Sequence, residues 1–105
     1  MPGGSINSNA NALLGAMANG TPVTISLSTS SDSVQMAPGL TRVISDVDCY
    51  IKQGGSTVTA VASMTGGAYL PAGVEMWLYA DAQADLDYLA GIVASGTGDM
   101  QALRV

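Results

Sequence analysis

At 105 residues the chain has room for one domain and one modest core. Hydrophobic residues make up 48% of it and charged residues only 10%, against roughly 25% in an ordinary soluble domain, and the net charge is −5. Three scattered cations, Arg42, Lys52 and Arg104, exclude the basic stripe that a nucleic-acid binder needs. So uncharged a surface calls for cover by a partner or by further copies of the chain, although a mesh of Ser, Thr and Asn also keeps such a surface in solution.

Residues 1–20 differ from the rest: Gly, Asn, Ser and Ala surround one apolar knot of Leu13, Leu14 and Met17. The spacing of three and four suits one face of a short helix, which Asn9 or Asn11 can cap. A helix this short is marginal alone, so the segment reads either as a loose terminus or as an arm that orders on a neighbouring subunit. Met1-Pro2-Gly3-Gly4 lacks the basic and apolar blocks of a signal peptide. The sequence has no run of about 18 apolar residues to span a membrane, and synthesis in a cytosol is expected.

From Thr21 the period changes to two. Val23, Ile25 and Leu27 alternate with Thr24, Ser26 and Ser28, which predicts a half-buried strand. A turn over Ser28–Asp32 leads to Val34 and Met36, then to a Pro38-Gly39 turn. Leu40–Gln53 places Val43, Val47, Cys49 and Ile51 on one face and Arg42, Asp46, Asp48, Tyr50 and Lys52 on the other. Ser and Asp break it into two strands near Ser45–Asp48. After Gly54-Gly55, Thr57–Met64 reads as another strand, and Tyr69–Gly73 as a Pro/Gly corner. Val74, Met76 and Leu78 then alternate with Glu75, Trp77 and Tyr79. Asp81–Asp85 is a loop or one helical turn. Leu86–Ala94, apolar on both faces, reads as a central strand; Ser95–Gly98 is a turn and Met100–Val105 the last strand.

About eight short strands with turn signals between them predict an all-β, single-domain antiparallel β-sandwich or jelly-roll-like barrel over residues 21–105, preceded by an N-terminal arm over 1–20.

The chemistry available is sparse, and the chain reads as no enzyme, with no cofactor and no metal. Histidine, the commonest general base, is absent. No Gly-x-Ser-x-Gly elbow is present. Cys49 is the single cysteine, which excludes an internal disulfide and a zinc site, and its place on an apolar strand face marks it as packing rather than a reactive thiol. Asp81, Asp85 and Asp87 are close enough in sequence to suggest Ca²⁺, but the loop lacks the Gly and bidentate Glu of an EF-hand and reads better as a solvated acidic loop. Asp46 and Asp48 read as turn formers. Glu75 is the only Glu, so a paired-Glu glycosidase site is excluded. Gly54-Gly55 and Gly96-Thr97-Gly98 precede strand-like sequence without a helix or a Lys, so they are turns rather than phosphate cradles.

The aromatic residues carry more. With Val74, Met76 and Leu78 inward, Trp77 and Tyr79 project outward from one strand, and Tyr50 does so from another. Exposed Trp and Tyr suit a protein interface; stacking on a sugar, or Trp77 turned inward in a second layer, are the other readings.

Three segments, TRVISDVDCYIKQGGSTVTA, YLPAGVEMWLYA and LAGIVASGTGDMQALRV, carry a Cys-containing strand, a Leu-Pro-Ala-Gly corner and an Ala-Ser-Gly-Thr-Gly turn before the last strand. Over residues 40–105 the chain resembles small β-sandwich accessory proteins of tailed bacteriophages. The resemblance implies a virion location, on the outer capsid surface. It implies a capsid decoration (cement) protein clamping neighbouring subunits, as a homo-oligomer with a trimer favoured, on the major capsid protein or another virion protein. A tail or neck subunit is the next reading, and a carbohydrate-binding module of an adhesin, using Trp77 and Tyr79, a third. The expected interface residues are Leu13, Leu14, Met17, Tyr50, Trp77 and Tyr79.

Overall fold

A computed structural model of the chain describes residues 22–105. The described residues form eight strands and no helix: β1 (Val23–Leu27), β2 (Asp32–Gln35), β3 (Gly39–Ser45), β4 (Cys49–Gly54), β5 (Ala68–Leu70), β6 (Met76–Ala80), β7 (Tyr88–Ile92) and β8 (Gly98–Arg104). They lie in two four-stranded antiparallel sheets, β1-β8-β3-β6 and β2-β7-β4-β5.

That order has a simple cause. The pairs β1·β8, β2·β7, β3·β6 and β4·β5 are successive rungs of one long antiparallel ribbon, and successive rungs fall in alternate sheets. The ribbon is wound around its own core, with β3·β8 and β4·β7 stitching the turns together. This is the wind of a jelly roll.

Alternation along the strands builds the core. Ile25, Leu27, Val43, Met100 and Ala102 point inward from the first sheet, and Cys49, Ile51, Leu70 and Leu89 from the second. Met36 and Val93 close the ends. Gly91 is where the two layers approach most closely: a Cβ there would lie 2.7 Å from Leu27 Cδ2 and 2.8 Å from Met100 Cε. Gln53 bridges the sheets at one side, donating from Nε2 to the carbonyls of Tyr79 and Leu86 at 2.7 Å each.

The interruption expected near Ser45–Asp48 separates β3 from β4, and the segment expected to be central, β7, lies between β2 and β4. Two expectations are corrected. Thr57–Met64 is no strand but part of a long excursion from β4 to β5. Its Thr/Val alternation finds no pairing strand: β7 and β5 flank β4 on both sides, and strand propensity is overridden where tertiary context supplies no partner. The excursion instead crosses to the far edge of the second sheet, where the Ala60 N–H donates to Ser31 Oγ at 2.9 Å. It thereby roofs the outer face: Ala90 points away from the core there, opposite Lys52, and is nevertheless fully buried. The missing strand is supplied by Ala68–Leu70, whose first two residues pair with Ile51 and Tyr50, so the Pro/Gly corner shrinks to Pro71–Gly73. Val74 is the second correction: it precedes β6 and is exposed, because the corner ends only there and the inward alternation starts with Met76.

Candidate interaction site

The outer face of the first sheet carries the aromatic residues. Its rows follow from the register: Tyr79 lies opposite Leu40, and Trp77 opposite Arg42, which in turn lies opposite Leu103. The Val105 N–H donates to the Leu40 carbonyl at 2.9 Å and extends the first row. Tyr79 is 65% exposed, Trp77 49%, Leu40 45% and Val105 44%. β6 is an edge strand of this sheet, so among the described residues no strand flanks Trp77 and Tyr79 on their free side. The result is one apolar, aromatic patch with a single charged group, and that charge is neutralised: Arg42 Nη1 donates to Glu75 Oε2 at 2.7 Å.

Tyr50 does not join this patch. It projects from β4 on the outer face of the second sheet, where it meets Tyr69 with ring centroids 5.3 Å apart and the planes tilted by 51°. Leu13, Leu14 and Met17 lie outside the described residues.

The two turn-forming aspartates do more than turn the chain. Asp46 Oδ1 accepts the Asp99 N–H at 2.8 Å, and Asp48 Oδ1 accepts the Ala72 N–H at 2.9 Å. The β3–β4 turn is thus clasped both to the start of β8 and to the Pro71–Gly73 corner. The Ala72 amide and, second to it, the Tyr69 hydroxyl hold the Asp48 carboxyl below its ordinary range, whereas the Tyr69 phenol is raised by the same carboxylate. An open depression of about 640 Å³ lies beside the Asp46 clasp, between Thr24, Ile44, Gly73 and Gln101. Two of its polar side chains are engaged within the chain, Asp46 Oδ1 by the Asp99 N–H and Ser45 Oγ with the Val47 carbonyl.

Cys49 faces the core, as its strand position predicts; burial pushes its thiol up. In the acidic loop, Asp87 is buried and accepts from Gln35 Nε2 at 2.9 Å, Asp81 Oδ1 accepts the Gln83 N–H at 3.0 Å, and Asp85 adopts φ 59°. The Asp81 and Asp87 carboxylates thus each accept a hydrogen bond within the chain, and no group of three His, Cys, Asp or Glu among the described residues is placed to hold a metal ion. No helix among them is long and apolar enough to cross a membrane.

Comparison with protein-family models, with curated proteins and with solved structures gives no match. Fold and surface together define a class: an eight-stranded jelly-roll domain that presents an exposed aromatic face at the open edge of one sheet. Trp77 and Tyr79 in that face were legible from alternation; Leu40 and Val105, which complete it, were not, because only register brings them there.

Proposed function

We propose that this chain is a non-enzymatic structural protein of a phage virion, a capsid decoration or cement protein that clamps neighbouring capsid subunits as a homo-oligomer. The observation that carries the reading is the Leu40–Trp77–Tyr79–Val105 patch: half-exposed aromatic and aliphatic side chains, contiguous in register, on the outer face of a rigid sheet. Patches of this composition act as interface centres. The scarcity of charge fits a molecule that works with much of its surface covered, and the likeness of residues 40–105 to phage accessory proteins supplies the virion context. Clamping needs no tight single contact, since several weak patches on one oligomer reinforce each other through effective concentration.

The test is binding of the labelled chain to purified capsids and to tails, followed by imaging of the particles. Decoration of the capsid shell that falls with Trp77→Ala supports the reading. Label confined to tails or necks replaces the cement role with a tail role. Binding to a glycan array through Trp77 and Tyr79, with no binding to particles, overturns it.

A further inference from the structure

On the second sheet, the β3–β4 turn, β4, β5 and the chain beyond β7 enclose a depression of about 380 Å³ lined by Val47, Asp48, Tyr50, Tyr69, Ala94 and Ser95. We propose that this notch receives a guanidinium group, the arginine side chain of a partner protein, between the two tyrosine rings and the Asp48 carboxylate.

The electrostatics are of one sign. The Asp48 carboxyl is ionised in neutral solution, since its hydrogen bonds hold it below the ordinary carboxylate range. The Ala72 amide occupies one of about four lone-pair positions on the Asp48 carboxylate, so acceptor capacity remains for an incoming donor. Aromatic ring faces are negative and attract a cation in the same sense. No cationic side chain lines the notch. Tyr50 and Tyr69 pack on each other, with centroids 5.3 Å apart and planes tilted by 51°, so they offer a bent aromatic wall beside the Asp48 carboxylate rather than the flat platform on which a pyranose stacks. Val47 and Ala94 supply small apolar walls for the methylene stem of an arginine.

The arginines of this chain are partly committed already, which favours a partner protein as the donor. Arg42 is engaged by Glu75, and Arg104 Nε donates to the Pro38 carbonyl at 3.0 Å. The proposal stands apart from the virion reading, because it concerns the opposite sheet from Trp77 and any partner that exposes an arginine satisfies it.

The experiment is an NMR titration of the ¹⁵N-labelled full chain with Nα-acetyl-arginine amide, its neutral citrulline counterpart and a set of methyl glycosides. Saturable shifts confined to the amides around Asp48, Tyr50, Tyr69, Ala72 and Ser95, given by the arginine compound alone, are expected. Asp48→Asn keeps an acceptor for the Ala72 amide and removes the charge; it should weaken binding by about ten-fold or more, as loss of a charge-assisted hydrogen bond does. Tyr50→Leu, which removes one ring and keeps apolar bulk, should weaken it too. Equal shifts with citrulline, binding that survives Asp48→Asn, binding of a glycoside in place of arginine, or no shifts at all would overturn the proposal. Should either variant fail to fold, the arginine–citrulline comparison on the unaltered chain decides alone.

Discussion

Arg42 and Trp77 lie directly opposite each other on β3 and β6, and the guanidinium of Arg42 is turned to Glu75 rather than left free beside the indole. The one charge in the aromatic patch is therefore cancelled where it stands, and the patch offers a partner area and ring edges instead of a net field.

Attachment through this face should accordingly tolerate salt. Raising ionic strength from about 0.1 to 1 M shortens the screening length from about 10 to about 3 Å, and binding to particles should weaken little. Trp77→Ala should weaken it by about 2 kcal/mol or more, as a lost aromatic anchor does, and far more than Lys52→Ala. Because Trp77 is half-exposed, the same substitution should cost only about 1 kcal/mol or less of folding stability, which urea unfolding checks. A folded Trp77→Ala chain that binds fully, while moderate salt strips the unaltered chain, would refute the interface.

Gly91→Ala should destabilise the fold by about 1–3 kcal/mol, the usual cost of overpacking a close-packed core. The new methyl meets Leu27 and Met100, both buried, where the two sheets touch. A lowered urea midpoint with an unchanged slope is the expected result.

Stability should fall on acidification through Asp48. Its folded-state carboxyl lies below the ordinary value of 3.8, so the stabilisation is complete above that pH and is lost as pH falls through the folded value. Asp48→Asn should flatten this acid limb. Thermal melts between about pH 2 and 6 span the window.

Cys49 should resist bulky thiol reagents in the folded chain and react on unfolding. Its thiol is buried and raised above the ordinary 9.0, chiefly by desolvation, so the neutral form that the fold favours persists until pH rises past that value. Cys49→Ala should cost about 1 kcal/mol in lost packing. Rapid labelling under native conditions would contradict the inward placement.

How far the sequence could be read depended on whether a signal was local. β1, β3, β4, β7 and β8 were each marked by alternation or by an apolar run between turn residues, and all are strands. Thr57–Met64 carried an equally good local signal and is a loop, because a strand also requires a pairing partner, which only the topology reveals. The outward direction of Trp77 and Tyr79 was legible from period two. The notch at Asp48 was not: Tyr69 sat in a predicted corner, and nothing local pairs it with Tyr50 or brings Ala72 to a carboxylate 24 positions earlier. Asp46 and Asp48 were recognised as turn residues, while their clasping of distant segments rests on contacts that no sequence window spans.

The rolled ribbon also dictates an order of events during synthesis. β8, the last strand to be made, lies between β1, the first, and β3. Until Gly98–Arg104 has emerged, β1 has no neighbour in its sheet and β3 keeps one edge bare. The nascent chain thus carries exposed strand edges until β8 has been made, the state most prone to pairing with another chain. A stop or frameshift just before Gly98 would release a polypeptide that carries seven of the eight described strands yet cannot close its first sheet, so such errors should feed aggregates rather than partly active protein.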